Sequence, residues 1–551
     1  EAPTEKGNYR AFATVTDGEE SATLSTTFEI STPKGTAYVY VSEDEEDVEY
    51  FKFTTPISSG KELERAVGRG SAKVYLTQDI EIESRLDFML MGILDLDLNG
   101  HSITVKNEQQ LFEVDGPFQG LRIFDTNTSG AGNGKIIRDN DSSDNGAFVS
   151  VLADGLFCLY GGSLCGNKRS QNGGAVVLAT YGIFKQYGGS ICDNETTGNG
   201  GGVYVPAGGK YTLYGGTVSG NKASNGGGIY CEDAVTISGG KITGNKATTA
   251  NGGGIFIRTG TVTIENCEIS GNTAKIDGGG IYNDGGTLTI TDSKINGNGA
   301  GGGGGITHCN NTLNLSGCTV NDNTSGGTGG GIYVPQKNAP TINITGTEIC
   351  NNTASANGGG ISGGESTTNL NNNTLIDGNK AHKGGGVHGT QKINMAEGVV
   401  ISNNTAGQDG GGVYLGDGQS GWAGLRMNGG EIHDNSAQYG GGVYYANNIK
   451  ADSVVRGKIY DNTATGNGGG IWTAHRGDSN AFNIEGRIYG NTATNGAGGG
   501  IHHTHLCLPK LAEVLGAQCN QRLLKIHIVF GDVRAAGAEM RGHLSVEDLA
   551  A

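Results

Sequence analysis

The chain has 551 residues, 102 of them glycine and only 35% hydrophobic, with a formal net charge of −17 and a pI near 5.1. The charge argues against nucleic acid or an anionic membrane as partner, and so few apolar residues are too few for a conventional globule of this length. No apolar run is long enough to read as a membrane-spanning helix.

In chain order, residues 1–33 alternate polar and apolar residues in two runs, "YRAFATVT" and "SATLSTTFEI", joined by "DGEE", a hairpin signal. They read as the last strands of a bacterial immunoglobulin-like module. With Glu1 in place of Met and no signal sequence, the expectation is a fragment of a larger multi-domain parent. Residues 34–58 carry the acidic run "SEDEEDVEY", expected to be a solvated connector rather than a calcium site. Over 59–145 the expectation is an N-terminal cap with irregular first coils. A short amphipathic helix at "GKELERAVG" (60–68) is followed by strands in "KVYLTQDIEI" and "LDLNGHSITV", an arrangement that would cover otherwise unpaired strand edges.

Regular coils fill 146–504. The stretch 251–282, "NGGGIFIRTGTVTIENCEISGNTAKIDGGGIY", opens and closes on the same word. The aliphatic residue after the glycines falls at Val203, Ile229, Ile255, Ile281, Ile306, Ile332, Ile361, Val387, Val413, Val443, Ile471 and Ile501, in steps of 25 to 30 residues. A second word, an aliphatic residue three before an Asn, recurs in phase ("ITGN", "ISGN", "INGN"). Two words in one frame indicate a structural repeat. Each repeat holds short β-type runs and no helical periodicity, so about 26 residues suits one turn of a parallel β-helix with three short strands, coils stacked about 4.8 Å apart. Aliphatic residues then fill the interior, glycines make the corners, and stacked Asn amides bond along a column. The proposed ladder is Asn167, Asn194, Asn221, Asn245, Asn272, Asn298, Asn323, Asn352, Asn379, Asn404, Asn435, Asn462 and Asn491.

These "GGGI" and "IxxN" words resemble the GGA(I/L/V) and FxxN repeats of the chlamydial polymorphic outer membrane proteins. More broadly they are similar to right-handed β-helix repeats of the pectin-lyase-like superfamily, over roughly residues 90–504. The resemblance implies an all-β, right-handed single-stranded parallel β-helix, here preceded by the partial immunoglobulin-like segment. It implies no single function, since the fold carries adhesins, tailspikes, lyases and glycosidases.

Enzymes of that fold need clustered carboxylates, whereas Asp193, Asp322, Asp434 and Asp461 are scattered beside the Asn corner and read as turn residues. "HRGDSN" (475–480), with its Arg476-Gly477-Asp478 tripeptide, reads as a loop, and His502, His503 and His505 lie where the pattern fails. Cys165 and Cys192 occupy equivalent places in adjacent coils. The expectation is stacked free thiols, close enough for a disulfide. Cys267 and Cys318, two coils apart, are too distant to bridge. The matched Thr261/Thr263 and Thr287/Thr289 fade at "TLNL", against an ice-binding column.

The residue after each aliphatic one should point outward, giving the stripe Tyr204, Tyr230, Phe256, Tyr282, Tyr333, Tyr414, Tyr444 and Trp472, broken by Thr307, Ser362 and His388. Stacked rings covering the sheet are one reading, a ligand-binding face the other. The functional expectation is a non-catalytic bacterial surface or secreted protein, a stalk or adhesin for host or microbial glycans or proteins. It requires no cofactor, metal or membrane insertion. The rival is a polysaccharide lyase or glycoside hydrolase. Residues 505–551 contain no coil word and are a C-terminal cap or an unrelated segment.

Overall fold

The computed structural model describes residues 7–17, 20–30, 37–41 and 48–503, with breaks at 89–91, 128–133, 144, 336–338, 417–423, 447–452 and 474–481. The segment 505–551, "HRGDSN" with its Arg476-Gly477-Asp478, and part of the acidic run lie outside the described residues.

One coil shows the rule for all. Ile255–Ile257 forms a first face, Thr261–Glu265 a second and Glu268–Ser270 a third. After Asn272 comes a two-residue strand, Thr273–Ala274. Each strand pairs in parallel and in register with its counterparts one coil before and after, as Ile255 does with Ile229 and Ile281. The sixteen strands of the first face run from Leu86–Asp87 to Ile501–His503. The second face runs in one line from Thr55–Ile57 to Phe482–Ile484. The third divides into nine strands and six, linked by single bridges from Thr319 to Lys294 and Glu348.

Alternation fixes the core. Within that coil Ile255, Ile257, Val262, Ile264 and Ile269 point inward and are buried; Ile257 lies between Cys231 and Asn283, and the other four each stack on an aliphatic residue above or below. Burying such a side chain contributes about 1.5–3 kcal/mol, and β-branched chains suit the strand backbone. The glycine word has two separate causes. A Cβ on Gly253 would lie 2.3 Å from the Gly279 carbonyl oxygen and 2.5 Å from that of Thr273, so the middle glycine is required by backbones in near contact. The first glycine, Gly252, has φ +70° and leaves room for the Phe256 side chain.

The end of the stack nearest the N-terminus is closed by the helix Gly60–Val67, whose Leu63 and Val67 are buried in the same core. Upstream, Gly7–Asp17 pairs antiparallel with Glu20–Ile30. Ala37–Val41 pairs likewise with Val48–Lys52, where the sequence suggests only a connector. At the opposite end Ile484, Ile488 and Ile501 are only partly buried, whereas their counterparts one coil earlier, Val455, Ile459 and Ile471, are fully buried.

Candidate functional site

The Asn ladder forms as an unbroken column from Asn167 to Asn491, buried as far as Asn462 and partly exposed at Asn491. Asn298 is typical: its backbone N–H and its Nδ2 both donate to Asn323 Oδ1, at 2.9 and 3.0 Å, and Nδ2 also donates to the Ile269 carbonyl. Its own Oδ1 accepts the same pair of bonds from Asn272. The same pairing joins Asn221, Asn245, Asn272, Asn298, Asn323, Asn352, Asn379 and Asn404 in succession. The ladder Asn does not itself take the left-handed conformation; the residue before it does, as at Asp193, Asp322, Asp434 and Asp461, with φ between 52° and 58°. Asn is required for its amide, and those four carboxylates belong to turn residues.

The aromatic stripe lies on the first face in register, and its rings stack. Tyr204, Tyr230, Phe256 and Tyr282 follow one another at centroid distances of 5.5, 4.8 and 5.1 Å. His388, Tyr414, Tyr444 and Trp472 form a second stack at 4.9, 5.2 and 4.2 Å. Tyr333 stands between them, registered against Thr307 and Ser362. The rings point away from the core yet are half-buried or buried, Phe256 being only 8% exposed. Tyr230, Phe256, Tyr414 and Tyr444 have a ring on either side, so they present edges, not faces, to solvent. Polar tips are also engaged: Tyr204 Oη donates to Glu232, which pairs with Arg258 at 3.7 Å, and the Lys383 ammonium lies 5.3 Å from the Tyr414 ring centre. Burial pushes the Tyr204, Tyr230, Tyr282 and Tyr333 hydroxyls above the usual phenol range.

Several features were not read from the sequence. A second Asn column runs outward on the second face: Asn314, Asn343, Asn369 and Asn394, each Nδ2 donating to the preceding coil at 2.7–3.3 Å. The words "TLNL", "TINI", "TTNL" and "KINM" carry it. Inside the core, Asn283 and His308 replace aliphatic residues and meet at 2.9 Å between Nδ2 and Nδ1. Burial pushes the His308 imidazole down to about 4. Further ring stacks occur at Tyr160–Tyr187–Tyr214 and His433–Tyr460–Tyr489.

The two candidate cysteines are joined. Register sets Cys165 directly against Cys192, with Cα atoms 4.6 Å apart, and the structure records a disulfide. This corrects the expectation of free thiols, because in-register neighbours on parallel strands fall within bridging range. Cys267 and Cys318 are free and buried. His502 and His503 end the first face, and His505 lies outside the described residues. Among the described residues, no three His, Cys, Asp or Glu side chains gather in a group able to hold a metal ion, and no helix is long and apolar enough to cross a membrane.

A family model described as a right-handed beta helix region matches residues 181–345. No curated protein and no solved structure gives a significant match. The family match and the parallel stacking of the described coils lead to one conclusion: the chain is a right-handed parallel β-helix repeat protein.

Proposed function

We propose that the protein is a non-catalytic stalk or adhesin of a bacterial surface or secreted protein, a rigid rod presenting an extended face to host or microbial glycans or proteins. The observation that carries this reading is the continuity of the stack. Sixteen first-face strands at about 4.8 Å per coil give a rod about 70 Å long. Along it, outward side chains are committed mainly to their neighbours. Rings stack on rings. Lysines pair with glutamates across coils, as Lys241 with Glu268 at 2.9 Å and Lys458 with Glu431 at 2.8 Å. The disulfide suits an oxidising, extracellular setting. In the stripe, Tyr204, Tyr230, Phe256, Tyr282, Tyr333, Tyr414, Tyr444 and Trp472 would contribute ring edges and polar tips to a partner.

The test is an array of glycans and surface proteins probed with the intact chain, its Tyr282→Ala variant and its Trp472→Ala variant. Binding that weakens several-fold in either variant, with folding unchanged, is the expected result. Turnover of a polysaccharide that a single carboxylate substitution abolishes would instead make the protein a lyase or hydrolase.

A further inference from the structure

The second face has a property the stripe lacks. Over four consecutive coils, from Thr287 to Asn369, its outward strand positions hold only Thr, Ser and Asn. The nearest charges on the same columns are Glu265 in the coil before and Lys392 in the coil after. In a chain with a net charge of −17 this is a neutral surface.

It is also an ordered one. Register places Thr289 against Asn314, Asn314 against Asn343, and Asn343 against Asn369. Hydroxyls and amides therefore form a lattice, about 4.8 Å between coils and roughly 6.6 Å between outward neighbours along a strand. Asn343 donates to Asn314 at 2.9 Å and Asn369 to Asn343 at 2.8 Å. Each amide is thus held in one orientation while a second N–H and a second lone pair remain for a ligand, so little side-chain entropy is lost on binding. At the edge of the lattice lies an open groove of about 550 Å³, lined by Asn310, Asn311, Thr312, Pro340 and Thr341 among others.

We infer that this face binds an uncharged polysaccharide, its hydroxyls exchanging hydrogen bonds with the Thr and Asn columns and one chain end entering the groove. The inference rests on the adhesin reading and assigns it a surface and a ligand class. A protein partner fits less well. Protein interfaces centre on apolar or aromatic anchors, and these columns supply none. A neutral surface also gives no Coulomb attraction for an acidic or basic glycan.

The experiment is co-sedimentation of the full chain with insoluble neutral polysaccharides (cellulose, chitin, starch granules and mixed-linkage glucan) at about 50 and about 500 mM salt. The panel is repeated with the double variant Thr291→Lys/Thr345→Lys and with Thr291→Val/Thr345→Val, which keeps the β-branched shape should the lysines impair folding. Trp472→Ala reports on the stripe. The expected result is retention by at least one polysaccharide, insensitive to salt, reduced at least tenfold by the lysines and several-fold by the valines. Retention unaffected by both double variants but lost in Trp472→Ala would overturn the inference and leave the adhesin standing on its stripe. Retention by none of these polysaccharides also overturns it. If a protein partner is then captured, or ice growth is inhibited, that activity replaces the one inferred.

Discussion

A buried amide in the Asn ladder serves four bonds at once, so one substitution there strands several partners. Asn298→Ala would remove the side-chain donor to the Ile269 carbonyl, the acceptor of both Asn272 bonds and one of the two donors to Asn323 Oδ1, at a cost of about 3 kcal/mol. Asn343→Ala, on the outward column, should cost less than about 1 kcal/mol because water replaces the lost bond. Urea unfolding of the two variants checks the contrast. The Asn283–His308 pair carries a pH signature. His308 has an ordinary value of 6.5 and is held near 4 in the fold, so the unfolded chain binds the proton more tightly. Its contribution is complete above about pH 6.5, falls as pH drops toward 4, and amounts to at most about 3 kcal/mol. Half-buried His388, also held near 4 by burial, acts in the same direction. Asn283→Ile/His308→Val restores the residue types of neighbouring coils. It should reduce the loss of stability between pH 7 and pH 4.5, measured by denaturant midpoint. An unchanged loss would mean that His308 is not buried as described. These two residues were unreadable in advance, since an inward Asn or His looks in sequence like any loop residue, and only register shows it facing the core.

At the scale of one coil, the sequence announced most of the fold because each word answers a geometric demand. Three aliphatic columns, the Asn corner and the glycine run were all legible as period and spacing. Orientation was less so. The sequence leaves the outward rings either stacked over the sheet or open as a ligand-binding face; a rise of about 4.8 Å per coil stacks them on one another and covers their faces. The Thr column fades in sequence at "TLNL", where Asn314 continues its polar role. Glycine roles separate cleanly by variant. Gly253→Ala places a methyl 2.3 Å from a carbonyl oxygen and should prevent that coil from closing, while at Gly271, φ +63°, nothing lies closer than 3.9 Å, and alanine should cost about 1 kcal/mol. Hydrogen exchange of coils 246–300 would show the first opening locally and the second barely doing so. The Cys165–Cys192 link spans 27 residues of sequence. Reducing it should remove roughly 3–4 kcal/mol from the coils it joins, visible as an earlier urea transition with dithiothreitol that is absent in Cys165→Ser/Cys192→Ser.

For the whole molecule, the described strands pair with those of the neighbouring coils, so stability is close to a sum of nearest-neighbour terms. A long, rigid rod follows from that repetition without any single specialised residue, which is also why function was far less legible than fold. The central claim is that this rod holds a partner and does not transform it. The most direct measurement incubates the intact chain with a panel of neutral and acidic polysaccharides and reads two quantities from each tube, the protein retained and the new chain ends released. The account predicts retention by at least one polysaccharide with chain ends at the level of a protein-free control. Chain ends accumulating in proportion to protein and time would contradict it and make the β-helix a polysaccharide-degrading enzyme.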